Sequence, residues 1–543
     1  MYSKHLLLLC ALCAFFAFGT PVATTAQTYS SFLKTANEAY QKGNYTEAGD
    51  NYEKAARMKE NKPEAMYKAA ECYYLVRNYG KAVECYELSR DEFRKHELAG
   101  LRYARSLKQT QKYEAAIEAF KNFGRKYRGS RKAQVIAVVR NDIKGCELAI
   151  QMGAAQTSTG TVRSLPDGIN TPANDFAPLP WSSDLLYYSS YVGKKVSLLR
   201  SLREGVNWQQ ADSARGLPES VTSRFGNGVF SSDGKRFYCT QCAEAPMNER
   251  AGNGLRTQCA IFGVRFENGK WNEPERLRSY INMASHTSMH PFVAEENGRE
   301  LLFFASDREG GFGGLDLYAC ARPLESNEFD FSFPQNMGEI INTGGDELSP
   351  FYESKNQTLW FSSNGHISLG GIDIFKSTRT AGKWAKPENP GGPLNSPADD
   401  LFFAKIKNDK KGSAFFVSNR SVEGRKPGTL DEDIFEYIPG NSTADAAYSM
   451  PERGGPDSLD MEEGPMVYRV HLEIQPDFEP ENPRYTSLQT LGTLIAVPLP
   501  EQGMQRIMLG DFDDMTKAEA AVQSLRESGA FPQAFVIQPE GMK

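Results

Sequence analysis

Three groups of residues in this chain have types and spacings that could do chemistry. Cys239-Thr-Gln-Cys242 with Cys259 has the sulfur content of a zinc or redox site, but no fourth ligand stands at a matching distance. His286 and His290 are four apart, which on a helix would point both rings at one metal. Here MASHTSMHPF reads as the approach to a strand ending at Pro291, so the two rings do not converge. Asp316 and Asp373 sit in glycine loops of a kind that can hold calcium. One carboxylate per loop is poor for an ion that wants six to eight oxygens, so both are expected to accept hydrogen bonds from loop amides. No Gly-x-Ser-x-Gly elbow occurs, and the plentiful carboxylates form no convincing pair. The expectation at this level is no enzyme, no metal and no cofactor.

The elements that would position these residues belong to a long, globular chain. Its 543 residues, 40% hydrophobic and 24% charged, suffice for two to four cores. A net charge of −6 and the lack of any long basic run exclude a nucleic-acid partner. Residues 1–26 carry Lys4, an apolar run from Leu6 and the small-residue site Thr24-Thr25-Ala26, the anatomy of a cleaved secretory signal. Neither Cys10 nor Cys13 is preceded by the small residues of a lipid-attachment site, so a lipoprotein is disfavoured. No later segment reaches transmembrane length, which predicts a soluble protein outside the cytoplasm. Seven cysteines follow the signal, an odd number, and cross-strand disulfides or buried thiols are their expected state.

Within a helical region 27–153, residues 29–125 repeat at an interval of 34. Ala36, Ala70 and Ala104 fall in register, as do Tyr45, Tyr79 and Tyr113, then Ala48, Ala82 and Ala116, then Tyr52, Tyr86 and Phe120. Small columns let antiparallel helices approach closely, and aromatic columns fill the space between pairs. Lys132 to Met152 has apolar positions at helix spacing and is predicted to cap the stack. GNYTEAGDNYEKAAR, RNYGKAVECYELSR and QKYEAAIEAFKNFGR resemble the tetratricopeptide repeat (TPR), which implies an all-α solenoid that binds proteins or peptides on its concave face.

From 157 to 440 the apolar period becomes two. LLYYSS (185–190), RFYCT (236–240), LLFFAS (301–306), LWFSS (359–363) and AFFVS (414–418) recur at steps of 50, 66, 57 and 55 residues, each the size of a four-stranded sheet. Before these strands stand the approach segments NDFAPLPW, GNGVFSSDGK, MHPFVAEENG, ELSPFYESKN and DDLFFAKIKN. A small sheet cannot bury both faces alone, so five such units predict a radial all-β propeller. A sixth blade is possible if a strand set hides in 430–445 or 157–175. Glycines 310, 311, 313, 314, 370 and 371 are expected to supply positive dihedrals in tight connections. These segments resemble the TolB-type, WD-like propeller repeats of exported bacterial proteins.

Residues 441–465 are polar, acidic and proline-containing and read as a flexible linker. Residues 466–543 follow the order strand, helix, strand, strand, helix, strand, predicting a small α+β ferredoxin-like sheet. By alternation Tyr468, Val470, Leu472, Ile507 and Leu509 face the helices, leaving Arg469, His471, Arg506 and Met508 on the other face. RIMLGDFDDMTKAEAAVQSLRESGAFPQAFVI resembles the second half of a sporulation-related repeat (SPOR) domain. That resemblance implies binding of peptidoglycan glycan strands, with those four residues as candidate contacts.

The order of modules resembles envelope proteins of the Bacteroidetes type, including accessory proteins of type IX secretion and gliding. It implies a non-enzymatic periplasmic scaffold that anchors an envelope assembly to peptidoglycan, with envelope or outer-membrane proteins as partners of the repeats and propeller. The alternative is a soluble periplasmic receptor whose propeller binds a glycan or peptide.

Overall fold

The computed structural model describes residues 28–58, 63–129, 132–155, 160–192, 195–214, 216–218, 225–246, 255–407, 409–422, 431–440, 468–475, 482–499, 504–529, 531 and 534–537. The expected signal and linker lie outside the described residues. Among the described residues no helix is long and apolar enough to cross a membrane.

The chain begins as three helix pairs, α1 (Tyr29–Gln41) with α2 (Tyr45–Met58), α3 (Pro63–Leu75) with α4 (Tyr79–Leu88), and α5 (Ala99–Gln109) with α6 (Tyr113–Lys126), followed by α7 (Lys132–Ala155). The 34-residue columns explain the packing. Ala36, Ala70 and Ala104, with Ala48, Ala82 and Ala116, are wholly buried where the helices of each pair meet. Tyr52, Tyr86 and Phe120 fill the same core. The turn inside each pair also repeats, with Gly43, Arg77 and Gln111 all at φ between 58° and 73°. Arg77 takes a left-handed conformation that costs a non-glycine residue about 1 kcal/mol, and its side chain is used elsewhere. The guanidinium lies 2.9 Å from Glu432 and 3.4 Å from Asp399, both on the β-region that follows.

That region is a propeller-like ring of five sheets among the described residues. Four run in sequence order from an inner strand outward: from Asp175–Pro180, from Phe225–Phe230, from Ser288–Glu296 and from Glu347–Glu353. The fifth has inner strand Asp400–Lys405, then Ala414–Ser418 and Asp433–Pro439, and its outer edge is supplied by Gly160–Ser164. The first strand of the ring therefore pairs with the last, which closes the circle. The strands described within the two segments considered for a sixth blade, Gly160–Ser164 and Asp433–Pro439, belong to the fifth. The five recurrent segments found in the sequence are the second strands of the five sheets. Cores form between sheets, as where Phe303 and Leu317 of the third pack against Leu359, Phe361 and Phe375 of the fourth.

Four of the five seams between blades share one polar part among the described residues. Asn342 brackets Leu317, accepting from its N–H at 2.8 Å and donating to its carbonyl at 3.0 Å. Asn395 does so for Ile374, Asn282 for Ile261 and Asn170 for Ile434. All four are buried, each preceded by a buried Ile or Leu. Asp316 accepts from the amides of Phe312 and Gly313, and Asp373 from those of Leu369 and Gly370, as the sequence led us to expect. The glycines differ from expectation. Only Gly310 of the six has positive φ. Gly313 and Gly370 are needed for close approach, because a Cβ there would lie 2.4 Å from the carbonyl of Thr343 or 2.0 Å from that of Ala398 in the next blade's entry loop.

The same seam draws carboxyls together. The amides of Glu347, Asp400 and Asp175, each opening an inner strand, donate to the carbonyls of Leu315, Ile372 and Glu432, which immediately precede Asp316, Asp373 and Asp433. The members of each pair repel, and both lie in a dry seam. Burial first pushes Glu347 up to about 8 and Asp373 up to about 7, and raises Asp175, Asp316 and Asp400; the partner carboxyl adds to the rise of Glu347, Asp373 and Asp175.

The helical region packs against the blades at this end. Lys108, itself buried, donates to Asp142 at 2.8 Å and to Ser368 of the fourth sheet at 2.9 Å, and Asn141 donates to the Gly365 carbonyl at 2.7 Å.

The C-terminal sheet has the order Leu494–Leu499, Met504–Phe512, Tyr468–Gln475, Phe535–Ile537, all antiparallel. Val470, Leu472, Ile507 and Leu509 form its core with Ala518, Ala521 and Leu525 of α9 (Met515–Glu527), which follows the short helix α8 (Pro483–Thr486). The Tyr468 side chain lies outside those described.

Two outcomes follow. Asn342→Ala strips both partners from the buried Leu317 backbone and should lower stability by about 2 to 4 kcal/mol, read as a drop in the urea midpoint; an unchanged midpoint contradicts the bracketing role. Glu347 and Asp373 hold protons in the folded state that they release when unfolded, so they favour the fold at low pH and cease to do so as pH rises through about 7 to 8. The melting temperature should therefore fall between pH 6 and 9, and Glu347→Gln should flatten that slope.

Candidate functional site: the axial channel

The five inner strands surround a cavity of about 670 Å3 and all contribute to its wall. Each carries a β-bulge near its start, between Phe176 and Leu179, Phe225 and Gly228, Met289 and Phe292, Leu348 and Phe351, and Leu401 and Ala404. At four bulges a non-glycine residue has positive φ: Ala177, His290, Ser349 and Phe402. The extra residue turns the strand and places these residues, with Asn227, on the channel wall. Left-handed backbone at four equivalent positions is stored strain held by the surrounding ring.

His290 anchors the deep part of the channel. It is buried, and burial alone pushes it down to about 3, so it is neutral at ordinary pH. Its Nδ1 accepts from the Ser349 amide at 3.3 Å, which places the ring proton on Nε2. Its own amide donates to Thr240 Oγ1 at 3.1 Å, and its ring meets the Phe402 ring edge-on at 4.8 Å.

Aromatic rings continue toward the opposite end, where the first and second strands of each blade join. Phe292 and Phe351 pack at 4.9 Å, Trp181 and Phe230 at 5.2 Å. Trp181 is 39% exposed and stands at the mouth. The carboxylates on the wall are Glu353 and Asp409. Glu353 accepts from Trp360 Nε1 at 2.7 Å and lies 2.8 Å from Lys405 Nζ, while Asp409 accepts from the Ser413 amide at 2.7 Å.

The residues singled out in the sequence lie elsewhere, His290 excepted. Cys242 and Cys259 face each other across two strands and form a disulfide, and Cys72, Cys85, Cys146, Cys239 and Cys320 are buried thiols. His286 lies 3.9 Å from Asp307. Among the described residues no cluster of three or more metal-ligating side chains occurs. On the C-terminal sheet His471 and Met508 are cross-strand neighbours, and Met508 is only 2% exposed. Arg469 bonds Asp511 at 2.5 Å, and Arg506 approaches Glu309 at 3.8 Å. Sequence reasoning passed over the bulges although they carry a signal: Ala177, His290 and Ser349 each precede a proline.

No protein-family model and no curated protein matches the chain. Among solved structures it is similar to an α-L-arabinofuranosidase from Podospora anserina, at 14% identity over 52% of this chain and 98% of that one, TM-score 0.35. It is also similar to an endo-arabinase from Bacteroides thetaiotaomicron, at 15% identity over 51% and 96%, TM-score 0.34. An exo-β-1,3-galactanase from Clostridium thermocellum matches at 13% identity over 57% and 70%, TM-score 0.35.

These findings correct several expectations. No family match stands behind the TPR, SPOR or type IX secretion resemblances, and the neighbours are carbohydrate-active enzymes. The peptidoglycan-anchored scaffold rested on the order of those named modules, and without the names the order assigns no role. The exclusion of catalysis does not stand either. It rested on missing local motifs, yet this channel gathers residues from 177 to 412 that no local motif could record.

Proposed function

We propose that the propeller binds a saccharide in the mouth of its axial channel. One observation carries this reading: a cavity of ligand size whose wall joins aromatic faces to a few fixed polar groups. The C–H faces of a sugar ring are apolar with slightly positive edges and complement the negative faces of Trp181, Phe230 and Phe351. Its hydroxyls need donors and acceptors at set positions, which Asn227, Ser349 and Glu353 supply on the same wall. A second reading, hydrolysis of the bound saccharide, is favoured by the presence of two carboxylates, Glu353 and Asp409, in one cavity.

Trp181 makes the test direct. Titrating the protein with arabinan, galactan, levan, xyloglucan and polygalacturonate should quench tryptophan fluorescence with at least one polymer. Trp181→Ala should weaken that binding at least tenfold. No quenching with any of the five overturns the reading. Reducing ends released in the same mixtures, and lost in Glu353→Gln, would separate hydrolysis from binding alone.

A further inference from the structure

The charge around the channel mouth is lopsided in a way the whole chain is not. The protein carries a net charge of −6, yet the hairpins of the fourth and fifth blades bring Lys355, Lys405, Lys407, Lys410 and Lys411 to one side of the opening against Glu353 and Asp409. Three of the lysines, 355, 405 and 407, line the cavity itself. Lys405 is held by Glu353 and covers the Trp360 ring at 5.6 Å. Among the described residues neither Lys355 nor Lys407 has a carboxylate partner. Lys407 instead places its ammonium 5.9 Å over the ring of Trp181, the exposed aromatic platform. The carboxylates are occupied in turn, Glu353 by Lys405 and the Trp360 indole, Asp409 by a backbone amide.

We infer that the saccharide taken by this channel is acidic, its negative group read by Lys355 and Lys407 while a sugar ring stacks on Trp181. This rests on the saccharide-binding reading and narrows it. A lysine without a carboxylate at the edge of an aromatic site is a free point charge within reach of a stacked ligand. A neutral sugar gives neither ammonium group a counter-charge, whereas an anionic one gains two charge-assisted contacts beside a partly dry wall. Recognition by charge at an exposed mouth is also screened by salt, which a purely stacked neutral sugar is not.

The experiment uses the full chain and three pentasaccharides: pentagalacturonate, its methyl ester, and a sulfated form of the ester, which distinguishes carboxylate from sulfate as the source of charge. An acidic pentamer should bind at least tenfold tighter than the ester at low salt, and the advantage should shrink severalfold by 0.5 M NaCl. Lys355→Gln with Lys407→Gln should remove the acid-over-ester advantage, with an unaltered melting temperature showing that the ring is intact. Equal binding of acid and ester by the unsubstituted protein overturns the charge inference while leaving the saccharide reading in place. An advantage that survives in the double variant also overturns it. Failure of every pentamer, together with all five polymers, overturns both.

Discussion

The ring depends on one constraint: where a blade's outer strands hand the chain to the next inner strand, backbone polar groups are dry and beyond the reach of either sheet's ladder. A buried amide or carbonyl left unpaired there costs more than any single apolar contact in the seam returns. The asparagine brackets meet this cost in place of a strand, because a carboxamide carries the same donor and acceptor pair as a peptide group. With Ile or Leu ahead of it plugging the core, each Asn fixes how far apart adjacent blades stand. The bulges and the channel inherit that spacing.

The seam also accounts for the division between the two ends of the ring. At the entry end, glycines without a Cβ let loops of neighbouring blades press together, carboxyls are forced into proximity, and the helical region packs through Lys108 and Asn141. Arg77 takes a strained turn of α3 and α4 and spans two propeller carboxylates. That end is closed by interactions costly to break, since removing one partner strands a buried charge. The hairpin end is joined by other contacts between blades, Tyr238 to Glu300, Arg379 to Glu296 and Lys405 to Glu353, and carries the exposed Trp181 and the lysines.

How much of this was legible follows from the range of each interaction. The Ala and aromatic columns of the helix pairs repeat because each unit meets a neighbour like itself, so the period is visible and the buried residues lie where the columns place them. The five second strands were equally visible, being apolar on both faces and ending in small residues. The Asn brackets were written as plainly, in Ile169-Asn170, Ile281-Asn282, Ile341-Asn342 and Leu394-Asn395, but a polar residue between strands looks like an ordinary loop until the carbonyl it serves is known. Ring closure by Gly160–Ser164 pairs residues more than 260 apart, and no local pattern encodes such a pairing. The channel was hidden for the same reason, as each blade contributes only a few residues to it. Met508 shows the converse limit. Alternation assigns a side chain to a face, and burial of that face depends on what packs against it.

The last step concerns strain. Four left-handed residues at equivalent heights cost about 1 to 3 kcal/mol each, yet straightening the strands would shift their registers and turn every following side chain to the opposite face. Phe230, Phe292 and Phe351 would then leave the channel wall, and the rings that pack between blades would lose their partners. The strain is therefore coupled to the lining of the channel: the same bulges that burden the backbone near His290 keep aromatic faces and polar groups converging on one axis. A ring needing only stability could have used straight inner strands. The retention of this geometry in four blades, with a fifth bulge beside it, is the physical reason for placing function on the axis.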